Sequence, residues 1–157
     1  MPPMKNLAYR KAHEDDLNEI ITLLMDDKFG KQRQQAFSKF YDKYVETFHT
    51  INDDPDQYLM VVENEKEIIA TCHLTILPSL TYNCSTRLQI EAVRVKEKYR
   101  GKSVGQWMIN QAIDYGKQRG VAIIQLMTDK RRDNAEKFYQ QLNFNSSHHG
   151  MKLRVSL

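Results

Sequence analysis

The stretch Leu88-Gln-Ile-Glu-Ala-Val-Arg-Val-Lys-Glu-Lys-Tyr-Arg-Gly-Lys-Ser-Val-Gly-Gln-Trp107 decides the fold, because it reads as a strand, a basic turn and a helix start. Apolar and polar residues alternate from Leu88 to Ala92, as in a strand with one buried face. The alternation then changes phase, since Val93 and Val95 are the next apolar residues. One extra residue sends all later side chains to the other face, so a β-bulge near Glu91 to Val93 explains the change. A strand buried on both faces explains it equally well.

A basic turn, Tyr99 to Gly105, joins this strand to a helix that begins near Val104. Free N–H groups and the dipole at a helix N-terminus attract anions, and small residues let a ligand approach the backbone. Arg100 and Lys102 add positive charge. These residues predict a site for the phosphates of a bound cofactor, but a solvated turn explains them at least as well.

This turn resembles the acetyl-CoA pyrophosphate loop of the GCN5-related N-acetyltransferases (the GNAT family), whose pattern is Q/R-x-x-G-x-G/A. Arg100, Ser103 and Gly105 stand at the three marked positions. Ser103 replaces the usual glycine; it is small and keeps its N–H group, but it resists positive φ. The resemblance implies that the cofactor pyrophosphate is held by Arg100, Gly101, Lys102, Ser103, Val104, Gly105 and Gln106.

A second match covers Arg132 to Phe144, which is similar to the family's N-x-x-A-x-x-F-Y-x-x-x-G-F helix. Four residues recur with the spacing of an amphipathic helix: Ala135, Phe138, Tyr139 and Leu142. Asp133 or Asn134 suits the N-cap of this helix, and Asn143 suits a left-handed C-cap. Phe138 is expected to be a core residue.

The resemblance implies further roles for residues beside the irregular strand. Backbone N–H groups freed by a bulge bind the pantetheine arm and polarise the acetyl carbonyl, and by position they belong to Val93, Arg94 and Val95. Asn134 hydrogen-bonds the cofactor arm, and Tyr139 protonates the departing thiolate.

Glu91 is the candidate general base, because some family members have glutamate at the matching place. A carboxylate there both attracts a protonated amine and accepts its proton. A surface glutamate, or one that only orients the acceptor, is the alternative interpretation.

The remaining pattern predicts a mixed α/β (α+β) fold in one domain, residues 1–157. The predicted helices cover 14–25, 32–48, 104–118 and the segment after Asn134; the predicted strands cover 7–12, 58–63, 67–77, 88–95, 123–128 and a last region from 144 that resumes at 151–155. The resemblance implies the GNAT fold, with a mixed central sheet of about six or seven strands, roughly four helices and a V-shaped opening between central parallel strands.

The composition excludes several other classes of protein. A net charge of +3 over 157 residues is too mild to indicate a nucleic-acid binder. No apolar run is long enough to predict a transmembrane helix, and the N-terminus lacks the apolar core of a signal peptide. Cys72 and Cys84 lack metal-ligand spacing, which predicts reduced thiols, a cytoplasmic location and no metal.

The combined prediction is an acetyl-CoA-dependent N-acetyltransferase that acts on a primary amine of a small molecule. Acetylation of a protein lysine or N-terminal amine is one alternative, and a non-catalytic acyl-CoA-binding module is another. Dimers are common in the resembled family, so a homodimer is a further expectation.

Other polar and aromatic residues are given minor roles. His73 is predicted to be a half-buried strand residue, and Trp107 a packing residue. Solvated segments are predicted for the acidic residues Asp53, Asp54 and Asp56 and for His148 and His149. Lys130, Arg131 and Arg132 either meet the 3′-phosphate of the cofactor or coat a loop.

Overall fold

The computed structural model describes residues 4–26, 40–132 and 134–156, which form a five-stranded mixed sheet with helices on both faces. The strands lie in sequence order: β1 (Leu7–Lys11), β2 (Gln57–Asn64), β3 (Glu67–Leu77), β4 (Arg87–Val95) and β5 (Ile123–Leu126). Neighbours are antiparallel from β1 to β4, whereas β4 and β5 are parallel. The strands of the described sheet therefore alternate in direction up to β4, and β5 runs in the same direction as β4.

Among the described residues, four regular helices and one single-turn segment connect the strands. They are α1 (Leu17–Met25), α2 (Tyr41–Asn52), the single turn α3 (Thr81–Cys84), α4 (Val104–Gln118) and α5 (Ala135–Gln141). A 3-10 turn with three acidic residues, Glu14–Asp16, leads into α1. Tyr82 and Asn83 in α3 have positive φ angles of 50° and 58°, so this segment is a left-handed turn.

Two apolar clusters cover the two faces of the sheet. Met60 and Val62 of β2 belong to the first cluster, with α4 and α5, while Leu59 and Val61 belong to the second, with α1 and α2. Alternate residues of one strand therefore face opposite layers, as strand geometry requires. This double burial explains why β2 reads as a continuous apolar run.

The predicted helices agree with the structure wherever it describes them. The predicted helix 32–48 lies partly outside the described residues, and its described part, α2, continues beyond the predicted end to Asn52. Gly120 follows α4 with a φ of 76°, the left-handed conformation that commonly ends a helix.

The C-terminal region departs from the prediction, since residues 144 and 151–155 form no strand. The described sheet therefore has five strands, slightly fewer than the predicted six or seven. Met151, Leu153 and Val155 are 90%, 89% and 89% exposed. Their alternation favours a strand, but a strand forms only when another strand supplies its backbone hydrogen bonds.

Candidate active site

A β-bulge interrupts β4 at Ala92 and Val93. Thr71 of β3 faces Arg94 and His73 faces Glu91, so two residues of β4 stand opposite Cys72 alone. Ala92 has a positive φ of 53°, a conformation that costs a non-glycine residue about 1 kcal/mol or more. Of the two interpretations of the broken alternation, the bulge is confirmed.

The sheet opens beside this bulge. Pairing between β4 and β5 ends at Ile90 and Leu126, although β4 continues to Val95. The unpaired half of β4 thus borders a gap, and the predicted opening between parallel strands is confirmed.

Backbone N–H groups of β4 point into the gap at alternate residues. The Lys96 N–H donates to the Ile69 carbonyl of β3 at 2.8 Å. Alternation along an antiparallel ladder then directs the Arg94 N–H toward β3 and those of Val93 and Val95 toward the gap. Consistent with this, the Val95 carbonyl accepts a bond from Arg100. The same alternation turns the Arg94 N–H group toward its cross-strand partner Thr71, and the predicted contact of Arg94 with the cofactor stays a prediction.

Six consecutive N–H groups, from Gly101 to Gln106, have no backbone partner within the described residues. The first bond of α4 runs from the Trp107 N–H to the Ser103 carbonyl at 3.0 Å. Gly101 and Ser103 are both left-handed, with φ angles of 73° and 64°. Successive N–H groups in such turns form anion-binding concavities, and the helix dipole adds to the attraction.

Arg100 fixes this loop instead of extending freely into solvent. Its Nε donates to the Val95 carbonyl at 2.9 Å, and its Nη2 donates to the Asp26 carbonyl at 2.9 Å. The guanidinium therefore ties the start of the loop to β4 and to the end of α1.

Glu67 on β3 fixes the segment that leads into the loop. Its carboxylate accepts bonds from Lys96 at 2.7 Å, from Lys98 and from the Tyr99 hydroxyl. These hydrogen bonds, that of Lys96 first, lower the pKa of the Glu67 carboxyl to about 2. The turn before the N–H groups is thus held to the sheet.

Close packing joins the start of α4 to its neighbours. A Cβ atom on Gly105 would lie 3.4 Å from the Phe138 ring and 3.6 Å from Val95 Cγ2. Phe138 is a packing residue, as predicted. The Trp107 ring packs edge-on against Tyr9, with centroids 6.4 Å apart, which agrees with its predicted packing role.

Helix α5 brings Tyr139 against the first cluster. Its ring lies 5.0 Å from that of Phe138 and 5.8 Å from that of Phe144. Burial raises the pKa of the Tyr139 hydroxyl above its usual range, and the positive charges of Arg132 and Arg94 oppose part of this shift. The hydroxyl therefore stays protonated at neutral pH, as a proton donor must.

The ends of α5 are both formed by left-handed asparagines. Asn134 precedes the helix with a φ of 66°, is exposed, and makes no side-chain cap bond; Asp133 lies outside the described residues. Asn143 follows the helix with a φ of 70°, as a left-handed C-cap requires.

Glu91 and Tyr139 lie on opposite faces of the sheet. Ile90 is buried in the first cluster, so the next residue, Glu91, points to the other face, while Tyr139 packs on the first. Glu91 is exposed. A ligand in the gap can therefore meet a carboxylate from one face and a phenol from the other.

Three polar residues near Glu91 received no catalytic role from the sequence. His73 is the cross-strand partner of Glu91, and its Nε2 lies 2.8 Å from Gln57 Oε1. Gln57 Nε2 in turn lies 3.1 Å from Asp54 Oδ2. Only the strand register reveals this connection, because Asp54 and Glu91 are 37 positions apart (91 − 54).

Two of the remaining charged candidates are held in ion pairs. Arg131 pairs with Asp129 at 2.7 Å and Asp56 with Arg119 at 3.2 Å. In the ranges 4–26, 40–132 and 134–156, no cluster of three metal-ligating side chains occurs, and no helix is long and apolar enough to cross a membrane.

Known proteins resemble the chain along most of its length. A sequence model described as the acetyltransferase (GNAT) family matches residues 17–144. An uncharacterised N-acetyltransferase of Methanocaldococcus jannaschii is 24% identical over 147 residues, which are 90% of this chain and 62% of the relative. The chain thus spans less than two thirds of that protein. Glucosamine 6-phosphate N-acetyltransferase 1 of Dictyostelium discoideum is 27% identical over 145 residues, 88% of this chain and 84% of the relative.

A solved structure is similar in both sequence and fold. The crystal structure of a transcriptional regulator from Bacillus halodurans C-125 shares 38% identity, with a TM-score of 0.90. The similarity covers 95% of this chain and 99% of the other.

Proposed function

The chain belongs to the acetyltransferase (GNAT) family, and from that premise we propose that it transfers an acetyl group from acetyl-CoA to a primary amine of a small molecule. The observation that carries this proposal is the row of six N–H groups, Gly101 to Gln106, that have no backbone partner in the described part of the chain and lie beside the open half of β4. Such a row suits the pyrophosphate of CoA, and the gap beside it suits an extended arm. We propose that the chain works as one domain.

The proposed binding mode uses main-chain donors almost throughout. The N–H groups of residues 101–106 hold the pyrophosphate, while those of Val93 and Val95 hydrogen-bond the pantetheine arm and the acetyl carbonyl. Asn134, whose side chain makes no cap bond, binds the arm from the other side of the gap. Acetyl-CoA supplies the activated acetyl group.

The proposed chemistry is direct transfer with both substrates bound at once, so that proximity supplies much of the rate. Glu91 attracts the protonated amine on one face of the sheet. Tyr139 gives its proton to the departing thiolate on the other face, where burial keeps the phenol protonated. The placement on two faces supports this division, because the acceptor and the leaving group lie on opposite sides of the acetyl carbon.

Phosphorylated amino sugars are the first acceptors to test. The Dictyostelium relative is named for glucosamine 6-phosphate, and the match covers 84% of it. We propose this class ahead of polyamines, amino-acid derivatives, and the lysine or N-terminal amines of proteins.

The test begins with calorimetric titration of the protein with acetyl-CoA and CoA. Micromolar binding is expected, followed by release of free thiol when glucosamine 6-phosphate is added. Glucosamine, a polyamine and a lysine peptide serve as comparison acceptors. Failure to bind acetyl-CoA would refute the proposal, while turnover of the peptide alone would replace the small-molecule acceptor with a protein.

A non-catalytic acyl-CoA-binding module is the second candidate. The Bacillus halodurans protein, at 38% identity, is named as a transcriptional regulator. Acetyl-CoA binding without turnover of any acceptor would favour this candidate. We propose no nucleic-acid contact, so a shift of labelled duplex DNA by the protein would contradict our view directly.

We also propose that two copies form a homodimer through residues 151–155. Met151, Leu153 and Val155 are almost fully exposed, and in the described sheet β5 is an edge strand. A second copy would supply the strand partner that this apolar segment lacks. Light scattering should give twice the 18.5 kDa chain mass. Leu153→Asp should give monomers and Lys152→Glu, on the alternate face, should not; a monomeric wild-type protein would contradict the proposal.

A cytoplasmic location is part of the same proposal. Cys72 and Cys84 are both free thiols, and Cys84 is exposed. An unpaired exposed thiol fits a reducing compartment.

A further inference from the structure

A chain of hydrogen bonds leads from the loop after α2 to the ring of His73. Asp54 Oδ1 accepts the backbone N–H of Asp56 at 2.9 Å, and Asp54 Oδ2 accepts the Gln57 side-chain amide at 3.1 Å. Gln57 Oε1 then lies 2.8 Å from His73 Nε2. The nitrogen and the oxygen of the Gln57 side-chain amide are thus both engaged in hydrogen bonds.

This chain fixes the tautomer of His73. An ionised carboxylate only accepts hydrogen bonds, so Gln57 must turn its NH₂ group to Asp54 and its oxygen to His73. These bonds, that of Gln57 first, lower the pKa of the Asp54 carboxyl and keep it ionised. The amide oxygen is an acceptor, so His73 Nε2 must carry the hydrogen. In the neutral ring, Nδ1 is therefore the nitrogen with the free lone pair.

His73 shares its sheet face with Glu91. The two are cross-strand partners immediately before the bulge, and the pairing of β4 with β5 ends at the preceding residue, Ile90. His73 is half-buried, whereas Glu91 is exposed. The imidazole and the carboxylate therefore lie together at the edge of the gap.

Burial of the His73 ring favours its neutral form at physiological pH, against the negative charges around it. Burial lowers the pKa of the His73 imidazole below its ordinary value, and the negative charge of Glu91 opposes that shift. Within the described ranges, the facing charges are Glu91 on β4 and, beyond the neutral Gln57, Asp54 in the loop before β2. A neutral imidazole with one fixed lone pair is suited to accept a proton.

We propose that His73 Nδ1 is the general base that takes the proton of the acceptor amine, with Glu91 binding the ammonium beside it. Gln57 and Asp54 are positioning residues that act through the ring. This inference rests on the proposed acetyl transfer and refines it, because it moves the base role from Glu91 to its strand partner.

Each proton that moves in the proposed reaction has a donor and an acceptor among the two substrates, His73, Tyr139 and water. The ammonium transfers one proton to His73 Nδ1, and the neutral amine nitrogen forms the new C–N bond. The C–S bond breaks as Tyr139 donates its proton to the sulfur. The second amine proton leaves as the amide forms and restores the Tyr139 phenol through solvent, while His73 returns its proton to water.

The first test reads the tautomer without any reaction. Nitrogen-15 chemical shifts of the His73 ring should show hydrogen on Nε2 and a bare Nδ1 in the neutral protein. Gln57→Met, which cannot accept the bond, should allow a mixture of tautomers. A neutral ring with its hydrogen on Nδ1 would overturn the inference.

The second test is the pH profile of kcat/KM. In the wild type kcat/KM should fall as pH drops through the His73 pKa, because the protonated ring cannot accept a proton. His73→Gln should lower kcat/KM at pH 7 by about 100-fold or more and abolish this acid limb. Glu91→Gln should move the limb to lower pH, since the charge that supports the protonated ring is gone. If His73 had a purely structural role, Glu91→Gln would not shift the acid limb of the kcat/KM profile.

His49→Gln is the matched control. His49 is half-exposed on α2, pairs with Glu14 at 3.1 Å, and has no part in the site; the same substitution there should leave the limb in place. An active His73→Gln enzyme that keeps its acid limb would overturn this inference alone. A wild-type protein that binds acetyl-CoA but acetylates no amine would overturn the proposed function and this inference together.

Discussion

Helices α4 and α5 border the same gap and begin in the same way, yet they contribute different things. Each starts after a left-handed residue, Ser103 with a φ of 64° and Asn134 with a φ of 66°, and neither side chain caps its helix. Helix α4 offers main-chain N–H groups held in place by distant contacts, whereas α5 offers side chains, above all Tyr139. In the proposed function, the same backbone motif serves binding at α4 and chemistry at α5, depending on what surrounds it. Substitutions at α5 should therefore change turnover, and substitutions at the α4 loop should change affinity.

The largest effect is expected from Tyr139→Phe. Without the hydroxyl, the thiolate leaves unprotonated, so kcat should fall by about 100-fold. The ring packing remains, so the Kd for acetyl-CoA should change less than about twofold. Stopped-flow turnover and calorimetry measure the two separately. Unchanged turnover would remove the acid role of Tyr139 and leave α5 as packing alone.

A smaller effect, on affinity, is expected from Arg100→Ala. This change removes the bonds to the Val95 and Asp26 carbonyls, so the loop must be ordered when the ligand binds. The Kd for acetyl-CoA should rise about tenfold, which corresponds to about 1.4 kcal/mol, with little change in kcat. Lys102→Ala is the control, because it removes a positive charge from the same loop and, within the described residues, no hydrogen bond to the backbone. Equal losses in the two variants would mean that charge, and not loop order, governs affinity.

The smallest effect compares the two left-handed residues directly. Ser103→Gly should stabilise the protein by about 1 kcal/mol, because glycine adopts positive φ without strain. Asn134→Gly should change the free energy of unfolding by only a few tenths, since asparagine tolerates this conformation. Urea unfolding curves give both values.

The same Ser103→Gly protein should bind CoA as tightly as the wild type or more tightly. A large loss of affinity would instead show that the Ser103 hydroxyl contacts the ligand. That outcome would break the proposed difference between the two helices, because α4 would then depend on a side chain as well.

Local sequence patterns predicted most elements of this fold because those elements bury one face at a regular spacing. Helix α4, helix α5 and the hairpin of β2 and β3 all show such spacing. The phase change in β4 indicated an irregularity, but only the register between Thr71 and His73 separated a bulge from a doubly buried strand. The positive φ of Ala92 has no signal in the sequence, since alanine rarely adopts it.

The parts that sequence reasoning missed depend on contacts between distant segments. His73 is the half-buried strand residue that was predicted, but the role that we propose for it had no signal in the sequence, because its partners, Gln57 and Glu91, come from two other strands. The tail at 151–155 was predicted as a strand from its alternation, yet alternation does not state which chain supplies the neighbouring strand. The bonds from Arg100 to the backbone carbonyls of Val95 and Asp26 also had no signal in the sequence, while its predicted contact with phosphate stays a prediction.

Because the α4 loop offers main-chain donors, it should tolerate many amino-acid substitutions during evolution. Every residue except proline carries an N–H group, so mutations at Lys102 or Gln106 leave the row of donors intact. The positions under constraint are those that shape the loop from outside, such as Glu67 on β3 and Phe138 on α5. Selection on the proposed binding site should therefore appear mainly at residues that never touch the ligand.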